Sequence, residues 1–247
     1  MELPPLGAPV DELWEVLLEL SERLEVQWTL IGGQMVLLHS LEHGTVPPQV
    51  SEDGDIIANI RTDRDALKAV VAVLRDLGFD LEGVSADGVA HRYVRARRTP
   101  DRPVVIDILA PEGLGERADL TTTGTGRTIQ VPGGTQALDR TERIAVRAGG
   151  KLGMIPRPSL LGAVIAKSAA CGLPEDVSRH LRDLALLCSL LDDPFETAEE
   201  LTAKDRKRLR LAKALDDPGH PSWLLVPEDI RSDGRIAWAI LNDLETA

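Results

Sequence analysis

The sequence predicts an α+β fold: an N-terminal mixed sheet flanked by helices over residues 1–155, then a C-terminal helical bundle over residues 156–247. Three observations point there. Short apolar runs punctuated by glycine and proline, with helical patterns between them, occupy the first 110 residues. From Ser159 onward apolar residues recur at helical spacing, with few β-branched runs. The stretch between, residues 111–150, is rich in glycine and threonine, and the two parts join near residues 150–158.

Taken in order, residues 1–9 are proline-rich and irregular. Asp11 is positioned to cap a helix that places Leu13, Val16, Leu17, Leu20 and Leu24 on one face. Residues 26–31 read as a strand ended by Gly32-Gly33, and residues 34–43 resume a helix. Gly44, Pro47 and Pro48 make a loop. Residues 55–60 read as a strand. Thr62 or Asp63 caps an amphipathic helix that Gly78 stops. Strands are expected at 79–84, 90–96 and 103–109, with a short one at 128–131. Helices are expected at 159–171, 175–191, 198–215 and 234–244.

Hydrophobic residues make up 43% of the 247-residue chain, enough for a core in one large or two small domains. Aromatics are only 3%, so Leu, Val, Ala and Ile must build that core. The net charge of −12 argues against broad non-specific binding to nucleic acid, which depends on neutralising phosphates. Cys171 and Cys188 lie in helical segments and read as small buried hydrophobes in a reducing compartment. The N-terminus is acidic and proline-rich, unlike a signal peptide, and no apolar run reaches the roughly 20 residues of a membrane span. A soluble, cytoplasmic protein without a membrane partner is expected.

The chemistry concentrates in three segments: Ile31-Gly32-Gly33, Ser51-Glu52-Asp53-Gly54-Asp55-Ile56-Ile57 and Val104-Val105-Ile106-Asp107-Ile108-Leu109. Side chains alternate along a strand, so Asp53 and Asp55 share a face. Asp107 interrupts an apolar run, and a carboxylate there is costly to bury without a partner. A divalent cation shared by Asp53, Asp55 and Asp107 is the expected partner, since magnesium takes hard oxygen ligands. Gly32-Gly33, between a strand and a helix, lets a phosphate approach the free N–H groups of the helix start.

In this order the segments resemble the nucleotidyltransferase superfamily related to DNA polymerase β. The C-terminal half narrows the resemblance. Leu160-Leu161-Gly162-Ala163-Val164-Ile165-Ala166-Lys167, followed by Arg179-His180-Leu181-Arg182-Asp183-Leu184, is similar to the AbiEii-like nucleotidyltransferase toxins. The resemblance spans residues 28–191 and implies magnesium held by Asp53, Asp55 and Asp107. Asp107 is either the third ligand or the base for the attacking hydroxyl. Ser51, Gly32 and Gly33 would hold the triphosphate. Lys167 would neutralise phosphate charge, and Asp183 would orient Lys167 or the nucleotide.

It implies transfer of an NMP from an NTP to an acceptor hydroxyl, such as a tRNA or other RNA end, by the toxin of a toxin–antitoxin pair with a cognate antitoxin. Gln49-Val50, Gly54 and His180 depart from the family pattern, which keeps two alternatives in view. One is a catalytically weakened nucleotide-binding or regulatory module. The other is a small-molecule transferase of the aminoglycoside type.

Other patterns are weaker. His39-Ser40-Leu41-Glu42-His43 matches a zinc-peptidase helix, but Gly44, Pro47 and Pro48 cut it off, and helix-ending histidines are the simpler reading. Arg92, Arg95, Arg97, Arg98 and Arg102 flank the Asp107 strand. Lys204, Arg206, Lys207, Arg208, Arg210 and Lys213 crowd one helix. Each cluster is a solvated face or a landing place for an RNA backbone. Residues 121–127 are glycine-rich without the Lys-Ser/Thr of a P-loop, and a hairpin is expected there.

Overall fold

The computed structural model describes residues 1–96, 102–116, 118–174 and 177–243. The structure is mixed α+β, and contacts divide it into two units: residues 1–34 with 51–158, and residues 35–50 with 159–247. The sequence suggested a single cut near residue 155. The structure instead assigns most of one early helix and its following loop to the helical unit.

The first unit opens with α1 (Val10–Arg23), which buries Leu13, Trp14, Leu17 and Leu20. Asp11 does not cap this helix. It lies in the first turn, and its carboxylate accepts from the backbone N–H groups of Leu6 and Gly7. Next come β1 (Trp28–Ile31), α2 (Gly32–Glu42), β2 (Asp53–Ala58), α3 (Ala66–Asp76), β3 (Asp80–Leu81), β4 (Arg92–Arg95) and β5 (Val104–Pro111). These strands form one sheet in the order β1-β2-β5-β4-β3. The β2–β5 pair is parallel, while β1–β2, β4–β5 and β3–β4 are antiparallel. All eight residues of β5 are buried, as a central strand covered on both faces should be.

The glycine- and threonine-rich stretch holds the expected hairpin and short strand and more regular structure besides. It holds β6 (Thr121–Thr123) and β7 (Gly126–Arg127), which pair as a small hairpin, and β8 (Gln130–Val131), which joins the sheet beside β5. Helix α4 (Gly134–Asp139) follows, then β9 (Thr141–Ala148) and β10 (Lys151–Pro158), which pair over eight residues each. Gly149 (φ +56°) and Gly150 (φ +81°) make the turn between them. Two consecutive left-handed residues match the right-handed twist of a hairpin, and glycine adopts them without strain. The alternation in Ile144, Val146 and Ala148 together with Gly-Gly was the available signal.

In the second unit, the continuation of α2 joins α5 (Leu160–Ala170), α6 (Val177–Cys188), α7 (Pro194–Glu199), α8 (Ala203–Leu209), a 3-10 turn (Arg210–Asp216), α9 (Pro221–Leu224) and α10 (Glu228–Leu241). Ser159 caps α5 by accepting from the Gly162 N–H. The single helix expected at 198–215 is broken because Thr202 and Asp205 form a capping box that starts α8 afresh. Met35, Val36, Leu161, Val164, Leu184, Leu187, Trp223 and Trp238 share one core. The Trp223 indole donates to the Leu215 carbonyl and the Trp238 indole to Asp216, fixing the 3-10 turn. Among the described residues, no helix is long and apolar enough to cross a membrane.

Candidate active site on the sheet face

Register decides which side chains meet. In the parallel β2–β5 pair Asp55 lies opposite Asp107, and Asp53 lies opposite Val105. Residues paired in this way share a face, and so do residues two apart on a strand. Asp53, Asp55 and Asp107 therefore stand on one side of the sheet. Gly54 faces the other side, where an added Cβ would meet Leu13 of α1 at 3.0 Å. Further along the carboxylate face, Ile57 and Leu109 pack against Ala137 of α4. The apolar end of this face is thus sealed by α4, and the carboxylates sit beyond the seal.

Asp107 is 5% exposed. Its partner is Arg92, directly opposite in β4. Arg92 Nε donates to Asp107 Oδ1 at 2.9 Å, and Nη2 donates to Oδ2 at 2.8 Å. This two-pronged contact is the strongest form of the arginine–carboxylate pair. The same Nη2 is 3.6 Å from Asp53 Oδ2, and Nε is 4.0 Å from Glu82 Oε2. The hydrogen bonds to Asp107 push the Arg92 pKa above its ordinary value against the opposing effect of burial. The sequence had placed Arg92 in a flanking basic cluster. The missed signal was strand alternation: a buried aspartate on a central strand calls for a cation on the neighbouring strand.

Asp55 meets the glycine turn. Ile31, the last residue of β1, lies opposite Asp55. Gly32 follows with φ +71° and opens α2. A Cβ built on Gly32 would fall 1.8 Å from Asp55 Oδ2 and 2.7 Å from its Cγ. Only glycine fits, for its backbone angle and for the carboxylate packed on it. Gln34, fully buried on the first turn of α2, donates through Nε2 to the Ser51 carbonyl, while its Oε1 has no hydrogen-bond partner. The Asp53 N–H reaches Ser51 Oγ at 3.4 Å. Ser51, Asp53, Asp55, Gly32 and Asp107 are thus gathered in the first unit, with Gly33 next in the α2 backbone.

Lys167 and Asp183 lie in the second unit. Lys167 on α5 donates to Asp183 Oδ2 on α6 at 2.7 Å, and both are buried. This mutual pairing accounts for a lysine in an apolar helical stretch. Burial pushes the nearby Cys171 thiol up to about 11 and raises that of Cys188 further.

Among the described residues, no group of three His, Cys, Asp or Glu side chains is arranged to hold a metal ion. His39 is buried within α2, and His43 Nδ1 bonds back to the His39 carbonyl at 2.8 Å. The basic clusters are partly spent on internal contacts. Arg95 stacks 5.1 Å over the Phe79 ring, Arg102 pairs with Glu52, Arg206 pairs with Asp243, and Arg208 is buried on Asp205. Arg97 and Arg98 lie outside the described residues.

Among solved structures, the chain resembles an antigenic nucleotidyltransferase-like protein from Paracoccidioides brasiliensis, with a TM-score of 0.52 and 16% identity. The match covers 82% of this chain and 88% of that one. The fold is nucleotidyltransferase-like. At this identity the likeness is one of architecture, and it spans both the sheet and the helical unit. No protein-family model matches the chain, and no curated protein matches it.

Proposed function

We propose that the chain is a magnesium-dependent nucleotidyltransferase that moves an NMP from an NTP to an acceptor hydroxyl and releases pyrophosphate. The observation that carries this reading is the gathering of Asp53, Asp55 and Asp107 on one sheet face, with Asp55 packed on the Gly32 turn, in a nucleotidyltransferase-like fold.

The residues suit magnesium in a restricted way. Asp53 and Asp55 offer hard oxygen donors two residues apart on one strand. Magnesium commonly uses one or two carboxylates, with waters and substrate phosphates completing its shell. Asp107 is already engaged by Arg92. Asp53 and Asp55, which share a face of one strand beside the Gly32 turn, would hold the metal. When bound, magnesium lowers the pKa of the attacking hydroxyl and stabilises charge on the phosphoryl group and the leaving pyrophosphate.

The chain's own groups supply the rest. Gly32 and Gly33 open α2, whose first N–H groups and positive dipole end favour a phosphate. Asp107, once released, would accept the proton of the acceptor hydroxyl. Lys167 is proposed to neutralise triphosphate charge, with Asp183 holding its ammonium otherwise. The resemblance of residues 160–167 and 179–184 to the AbiEii-like toxins supports an RNA end, such as that of tRNA, as acceptor and a cognate antitoxin as partner. The Arg92–Asp107 contact favours a second reading, a nucleotide-binding module with weakened catalysis.

The test is to incubate the protein with magnesium, each α-labelled NTP and total RNA or aminoglycosides. Acceptor-linked label with the wild type and none with Asp55→Asn supports transfer. Magnesium-dependent NTP binding without transfer supports the second reading.

A further inference from the structure

We propose that Arg92 is an internal cation that competes with the divalent metal for the carboxylate face, a role that rests on the nucleotidyltransferase reading of that face. The guanidinium takes both oxygens of Asp107 and stands 3.6 Å from Asp53. It therefore neutralises one of the three carboxylates outright and places positive charge beside a second. A divalent cation entering the face meets a carboxylate already held on both oxygens and a like charge.

The two partners are not equally movable. The Asp107 side chain is 8% exposed on a central strand, while the Arg92 side chain is 40% exposed on a four-residue strand nearer the sheet edge. Arg92 is thus the partner that can swing into water or onto an incoming anion. A triphosphate offers the guanidinium a two-pronged partner of the same geometry as a carboxylate. Arrival of the nucleotide would draw Arg92 off Asp107 and free that carboxylate as metal and nucleotide enter together. In the nucleotide-free protein Arg92 holds the face closed to metal.

The probe is Mn²⁺ alone, followed by the free-ion electron paramagnetic resonance signal, with melting curves as the check on folding. Arg92→Gln raises Mn²⁺ affinity by about tenfold or more over the wild type, the scale on which a neighbouring charge changes cation binding by a carboxylate. The gain is smaller in Arg92→Gln with Asp107→Asn, where the like charge beside Asp53 is gone but no carboxylate has been freed. Unchanged or weaker binding in Arg92→Gln overturns the proposal, as does an undiminished gain in the Asp107→Asn background. If Arg92→Gln does not fold, Arg92→Lys, which keeps one donor to Asp107, shows a smaller gain, and the absence of one overturns the proposal. Adding Asp55→Asn to Arg92→Gln removes the gain. A gain that persists there puts the metal elsewhere and overturns the underlying nucleotidyltransferase reading instead.

Discussion

Replacing Gly32 with alanine tests the tightest contact at the candidate site. The residue has φ +71°, where a Cβ costs about 1–2 kcal/mol. The added Cβ would lie 1.8 Å from Asp55 Oδ2, 2.7 Å from Cγ and 3.0 Å from Asp55 Cβ. The carboxylate must leave its rotamer, at a further cost of about 1 kcal/mol. The sum is about 2–3 kcal/mol, or roughly 5–10 °C in the melting temperature of a chain this size. The Asp55 carboxylate is displaced from its place beside the turn, so magnesium-dependent NTP binding, read by titration calorimetry, falls with stability. Gly44→Ala is the control. Gly44 has φ +70° but nothing within 4 Å of the added Cβ, so it bears the backbone strain alone, about 1–2 kcal/mol, and leaves NTP binding intact. Equal melting shifts and equal NTP binding in Gly32→Ala and Gly44→Ala would refute the reasoning.

Lys167→Met leaves the buried Asp183 carboxylate unpaired and lowers stability by about 3–5 kcal/mol in denaturant titrations, while Lys167→Met with Asp183→Leu recovers most of the loss. A double variant no more stable than the single one contradicts this pairing. Burial raises the Cys171 thiol from 9.0 to about 11, so the folded state keeps a proton that the unfolded state releases. The resulting stability is present below pH 9 and declines as pH rises from about 9 to 11; Cys171→Ala should flatten that part of the pH–stability curve, and an unchanged slope counts against it.

Much of the fold could be read from local pattern. Helix α1, strands β2 and β5 and helix α5 carry unambiguous apolar periodicity or a clear cap. The hairpin of β9 and β10 escaped because its strands carry Glu142, Arg143, Arg147 and Lys151, a charged pattern that lowers apparent β character. The division of the chain escaped because Met35 and Val36 read only as a helix continuing from Gly32-Gly33. Their membership of the helical core depends on contacts with residues more than 120 positions away. At the site, alternation placed Asp53 and Asp55 together. The register of β4 against β5, which sets Arg92 on Asp107, is not encoded in either strand alone. Residues 96–103, with two prolines and four charged residues, separate them, and no local signal fixes the offset.

The most direct test of the central claim is a crystal structure with Mn²⁺ and a non-hydrolysable NTP analogue, using the anomalous signal to place the metal. The account predicts a Mn²⁺ peak bounded by Asp53 and Asp55, triphosphate density on the Gly32-Gly33 backbone, and Arg92 withdrawn from Asp107. A metal and triphosphate bound away from these residues, or an empty carboxylate face at saturating nucleotide, would contradict it.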